Sequence, residues 1–242
     1  MALAGAAILS VVPFVVKTKT SKDQVRAWIR ARSTSEALKE MIYRYLLRVE
    51  PFKLESNPSD LIICCQVIKE KVQDLNIHAA SIEPSHKARP LALNIDDYVE
   101  MRVNDQIKNY YRPKSRENAL AYKKFHELEF KLSLLAVVMG ALSGAAIAAG
   151  IPILSTLSPW AAVLTTASAA IAAHIAASHY DHQAMIYYGT ADRLTSLRDE
   201  WRSMSNRLDP IYIAKFVNDC EHTISTENEA WLAKWTEEKP NK

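Results

Sequence analysis

The residue types in this chain best suited to chemistry are its histidines, cysteines and paired glycines, and their spacing argues for packing rather than reaction. His179-Tyr-Asp-His182 sets two imidazoles at i, i+3 beside a carboxylate, a pattern that could present nitrogen ligands on one helix face. Helix-end histidines are far commoner than metal sites, so no metal is expected. Cys64, Cys65 and Cys220 offer neither a disulfide framework nor the paired CxxC spacing of a zinc site, and are expected as reduced structural thiols. The patterns GxxxxGK(S/T), HExxH and GxSxG do not occur. With no catalytic residue, cofactor or metal to assign, the chain reads as a non-enzyme.

Gly140-Ala-Leu-Ser-Gly144 has the GxxxG spacing, which places both glycines on one helix face where another backbone can approach closely, and Ala148 continues that face. Packing between subunits satisfies the motif, and so does packing within one hairpin against Thr165, Ala169 and Ala173. His174 lies in a second apolar segment, about one turn from its end. An ionisable group there either bonds as a neutral imidazole to a serine of the neighbouring segment or lines a pore, on a face shared with Thr166, Ala170 and Ala177.

The elements that must position these residues come from an unbroken run of 49 residues, 132–180, without Asp, Glu, Lys or Arg. Residues 151–159 split it, because Pro152 and Pro159 cannot sit inside a regular helix. The two resulting segments, 132–151 and 160–177, hold 20 and 18 residues. At about 1.5 Å per residue each matches a hydrocarbon layer of about 30 Å. Their richness in Ala, Gly, Ser and Thr would also suit a buried hairpin of a soluble bundle. Trp160 at the start of the second segment, Phe130 and Tyr180 at the opposite rim, and Lys131 and Asp181 bounding the run favour the bilayer.

A third apolar segment, 2–16, is followed at once by Lys17, Lys19 and Lys22 and reads as a short membrane anchor. Nine Lys or Arg between Lys17 and Arg48, against three acidic residues, suit an anionic lipid surface or a solvated basic helix face equally. The overall charge of +3 is too small to imply a nucleic-acid partner. Lys123, Lys124 and Lys131 before the hairpin and Arg193 and Arg198 after it place both its ends inside, with the uncharged 151–159 loop and the N-terminus outside. Five glycines in 242 residues leave little turn chemistry for a sheet. The expected fold is all-α: a membrane helical hairpin with long cytoplasmic helical extensions and a short N-terminal membrane segment, in a multi-pass inner-membrane protein.

Helices are expected from a capping box at Ser21-Lys-Asp-Gln24 to about Arg48, ended by Pro51; over 60–75; over 96–111 and 115–131, divided by Pro113; from the second span onward, with Gly189 as the one interruption; and over 211–236. The corresponding organisation is 1–51, an N-terminal membrane segment and basic amphipathic helix; 52–94, a connector; and 95–242, a two-span unit with cytoplasmic helices.

Trp28-Ile-Arg30-Ala-Arg32 followed by Glu36-Ala-Leu-Lys39, the series Tyr98, Arg102, Gln106, Tyr110 and Tyr111, and a tail with Phe216, Glu221, Glu227 and Trp231 resemble the SLATT family. The resemblance covers most of the chain outside 52–94. It implies a two-span bacterial membrane effector of a conflict or defence system, associated with nucleotide-second-messenger synthases and nucleotide-sensing SLOG domains. Its expected partners are membrane lipids, further copies of itself and a nucleotide-signalling protein, with pore formation as the action and a membrane-anchored adaptor as the alternative. In the family the Trp28-to-Lys39 signature follows a complete hairpin, whereas one short segment precedes it here. The chain thus resembles the end of one unit, degenerate or lacking an upstream segment, followed by a complete second unit.

Overall fold

Capping chemistry sets the first helices. The computed structural model describes residues 22–76, 93–151 and 157–237, with side chains between Ala27 and Thr226. Helix α1 spans Lys22–Leu47. It stops three residues ahead of Pro51, because Arg48 turns left-handed at φ 55° and the Val49 N–H reaches back to the Arg44 carbonyl at 3.0 Å. Helix α2, Pro58–Glu70, opens on a reciprocal cap: the Asn57 side chain accepts from the Ser59 and Asp60 N–H groups while Asp60 accepts from the Asn57 N–H. A separate 3₁₀ turn, Gln73–Leu75, follows it, so the single helix expected over 60–75 is two elements. The membrane segment expected at 2–16 and the capping Ser21 lie outside the described residues, as does most of the connector beyond residue 76. All regular structure among the described residues is helical.

The break expected at Pro113 is not there. Helix α3, Ile95–Tyr98, passes through two wide π-helical stretches, Val99–Asn104 and Gln106–Tyr111, into helix α4, Arg112–Ala148. These form one continuous helix of 54 residues. A proline removes one N–H and crowds the carbonyl four residues back. Turns of i→i+5 register just ahead of it widen the backbone and let the displaced carbonyls find other donors.

The one long helix expected from the second span onward is interrupted at His179 rather than at Gly189. Helix α5, Ser158–Ser178, ends at His179, which adopts the left-handed conformation (φ 49°), and helix α6 runs from Tyr180 to Ser203 straight through Gly189. The chain keeps its hydrogen bonds across the bend: the His179 N–H reaches the Ile175 carbonyl at 3.2 Å, and the Gln183 side-chain amide donates to the Ser178 carbonyl at 2.8 Å. Helix α7 spans Pro210–Glu237.

These helices form two compact units that do not follow chain order. One holds Arg112–Tyr188; in the other, residues 22–111 pack with 189–237. The core of the second unit is aromatic and aliphatic. Trp201 of α6 stacks on Phe216 of α7 with centroids 4.7 Å apart, and Tyr98 meets Phe216 and Tyr43 of α1 edge-on at 6.2 and 5.5 Å. Val103, Ile107, Leu194 and Val217 fill the space between. Each such side chain contributes about 1.5–3 kcal/mol on burial.

In the first unit α4 and α5 pair antiparallel in one regular register. Gly140 faces Ala161, Ser133 meets Ser168, Phe125 meets His174, and the Ser115 hydroxyl donates to the Ala184 carbonyl. The seam is made of small residues, with Ala136, Ser143, Ala146 and Ser168 buried, which lets the backbones approach closely. This register corrects the expected level rim. Tyr180 stacks on Phe125 at 5.8 Å, more than one turn beyond Phe130, because the two uncharged segments are offset along the hairpin.

Candidate functional site

Three helices of the second unit deliver charged side chains to one buried point. The π-helical stretch places Arg102 in the interior, 2% exposed, where it donates to Glu221 of α7 through Nε at 3.0 Å and through Nη2 at 2.7 Å. Its Nη1 donates to Glu36 of α1 at 2.6 Å. The Tyr98 hydroxyl donates to Glu221 at 3.0 Å, and Lys39 donates to the second oxygen of Glu36 at 2.7 Å. Two-pronged guanidinium–carboxylate bonding of this kind fixes angle as well as distance. A cleft of about 260 Å³ opens beside the cluster, lined by Ser33, Glu36, Glu40, Arg102, Glu221 and Ser225.

The electrostatics follow from burial and pairing. Burial opposes the Arg102 charge, but Glu221 and Glu36 outweigh it and move the guanidinium further above the ordinary arginine range. Burial alone would raise the Glu36 carboxyl; Arg102 and Lys39 win and hold it below the usual carboxylate range. Tyr98 and Cys220 are pushed well above their usual ranges, chiefly by burial and then by the Glu221 charge. Such an arrangement has no activated nucleophile. It is a paired, satisfied network that ties three helices together.

Of the residues singled out by sequence, Glu36, Lys39, Tyr98 and Arg102 thus converge. Arg32 forms a second group, with its guanidinium 4.3 Å from the Tyr110 ring and 5.9 Å from that of Trp28. Gln106 is buried on the π-helical stretch, and the Trp231 side chain lies outside the described residues. No cluster of three or more His, Cys, Asp or Glu suited to a metal occurs among the described residues.

In the hairpin unit, Gly140 and Gly144 are both exposed, Gly140 at the edge of the seam facing Ala161 of α5 and Gly144 clear of it. A methyl group built at Gly140 would only touch Ala161 at 4.0 Å, and at Gly144 it would meet nothing. Packing within the hairpin therefore engages Gly140 and leaves Gly144 open. Thr166 and His174 are exposed on α5, with the His174 ring edge-on against Phe125 of α4 at 5.0 Å. Thr166 donates to the Ala162 carbonyl at 2.9 Å. His174 bonds to the Tyr180 hydroxyl at 3.2 Å and lies 3.5 Å from the Ser178 hydroxyl, so its serine is on its own helix and not on the first span.

The serine link between spans is one that sequence reasoning missed. Ser133 and Ser168 share a hydrogen bond of 2.6 Å. Ser133 donates to a Glu129 carboxylate oxygen at 3.1 Å, and the Ser168 hydroxyl lies 3.3 Å from that oxygen and from the Glu129 carbonyl. His126 approaches the other carboxylate oxygen at 3.6 Å. Serines inside otherwise apolar segments, with an acid one turn before the first of them, were the available signal.

Residues 98–231 match the family described as SMODS and SLOG-associating 2TM effector domain 1, over more than half of the chain. Residues 1–60 match a second family, a protein of unknown function (DUF4231). No protein of curated function and no solved structure matches.

Proposed function

The chain belongs to the SLATT family of SMODS and SLOG-associating 2TM effector domains, and from that premise we propose that it oligomerises through its hairpin and permeabilises the inner membrane when a partner signals. The observation that carries this reading is the outward face of α4. There Gly144 stands unused by the hairpin's own packing, with Gly140 one turn away at the edge of the seam, beside exposed Val137 and Ile147. Small residues flanked by large apolar ones suit close approach of a second helix within lipid. The lysines at 123, 124 and 131 and the arginines at 193 and 198 support a cytoplasmic location for the second unit and an external loop at 151–159.

The family description pairs its members with SMODS and SLOG domains, and the proposed partner is accordingly a nucleotide-signalling protein. Direct nucleotide binding at the Arg102 cleft is disfavoured, because Glu36, Glu40 and Glu221 line it and like charge repels a phosphate. The alternative is an adaptor that sits in the membrane without opening it. Induced expression in a bacterial host with a membrane-potential dye, together with alkaline extraction, tests both. The effector stays in the pellet and depolarises cells when a SMODS partner is active; retention with an unchanged potential leaves the adaptor.

A further inference from the structure

The edge of α4 that carries Gly140 and Gly144 turns polar as it runs away from the loop. At about 3.6 residues per turn, Gly140 lies about 20° round the helix from Glu129, and Gly144 about 20° round from Ser133. His126 and Gly144 stand about five full turns apart and share one direction. One regular helix, Arg112–Ala148, therefore presents Ser133, Glu129 and His126 along the line of its glycines. No lysine shares that line. By the same count Lys123, Lys124 and Lys131 lie about 120°, 140° and 160° round from Glu129, and Lys123 pairs with Glu127 at 3.9 Å. The facing helix, Ser158–Ser178, brings no Asp, Glu, Lys or Arg.

The Glu129 carboxylate is held in place from both helices. Ser133 donates to one of its oxygens at 3.1 Å. Ser168, 4% exposed, lies 3.3 Å from the same oxygen and shares a 2.6 Å hydrogen bond with Ser133. His126 approaches the other oxygen at 3.6 Å, and the glutamate side chain stays 26% exposed, open at the edge of the seam. The other faces of α4 expose Leu134, Leu135, Val138 and Leu142, which suit lipid and offer an ion nothing. Ionisable groups in membrane helices face a bundle interior or water rather than lipid.

We propose that Glu129 sets the ion preference of the leak, passing cations and refusing anions, with Ser133 and Ser168 as positioning residues for its carboxylate. Copies that meet along the glycine edge bring their Glu129 side chains round one shared axis, and a ring of carboxylates selects for cations. This rests on the reading of the hairpin as a permeabilising oligomer and adds which ions pass.

Currents of the full chain in planar bilayers of zwitterionic phospholipid, whose surface adds no net charge, test this under a potassium chloride gradient. The wild-type current should reverse near the potassium equilibrium potential. Glu129→Gln keeps the shape and the serine bonds without the charge, so its current should persist and reverse near zero, a several-fold loss of potassium-over-chloride preference. Glu129→Asp should keep most of the preference, and Lys131→Gln, on the opposite side of α4, all of it. Ser133→Ala with Ser168→Ala leaves the carboxylate unheld and should lose part of it; an unchanged preference there would strip the serines of their positioning role. Glu129→Ala gives the same reading should Glu129→Gln carry no current. A wild-type current that prefers chloride or neither ion, or a preference that survives loss of the carboxylate, would overturn the inference while leaving a pore. No wild-type current at any protein density would instead remove the permeabilising reading on which it rests.

Discussion

Arg102 shows most clearly what one residue does here. It is buried against two carboxylates from different helices, and removing it leaves Glu221, 1% exposed, without its cation. Arg102→Met should cost about 3–5 kcal/mol of stability, and Arg102→Met with Glu221→Leu should cost much less, because it is the stranded charge that is expensive. Denaturant unfolding of the two variants measures the difference. The pH dependence has a definite sign. Glu36 titrates below its ordinary 4.5 in the folded chain, so its contribution is complete above that pH and lost as pH falls through the folded value. Tyr98 titrates above its ordinary 10.0, so its contribution is complete below that pH and lost as pH rises further. Thermal melts across both ranges should show stability declining at each end. The members of this cluster were visible in the sequence, but their pairing was not. Glu36, Arg102 and Glu221 lie 66 and 119 residues apart, and helical periodicity places a residue on a face without naming the face opposite.

At the scale of elements, composition located the helices and local chemistry moved their ends. The uncharged run and its prolines were enough for a hairpin. The sequence predicts a break at Pro113 because it does not announce the π-helical turns that accommodate the proline. The sequence predicts one long helix with Gly189 as its weak point, whereas the irregular residue is His179, a residue type that tolerates the left-handed region better than most. Gly189 has open space around a would-be methyl group and no left-handed strain, so Gly189→Ala should raise stability by about 0.4–1 kcal/mol, read from thermal unfolding. The glycine pair gives a sharper test of helix faces. Gly144→Leu should leave the hairpin's own seam intact, since a side chain there meets nothing of α5, and should weaken crosslinking between copies in a membrane. Unchanged crosslinking would mean that this face is not the one that associates.

At the scale of the molecule, the sequence was read as consecutive segments, but the helices before and after the hairpin pack together into one unit. Nothing in linear order predicts this. It follows from antiparallel pairing, which returns the end of α5 to the neighbourhood from which α4 departs. The family match from Tyr98 to Trp231 includes the hairpin in a 2TM effector domain, and the proposal made for it is that hairpins assemble to open the membrane. Ion leakage from liposomes distinguishes the outcomes when the wild-type chain and the Gly144→Leu variant are compared at equal insertion. Leakage should rise steeply with protein density for the wild type and be largely lost in the variant. Equal leakage from the two, or none from the wild type even with its signalling partner active, would contradict it.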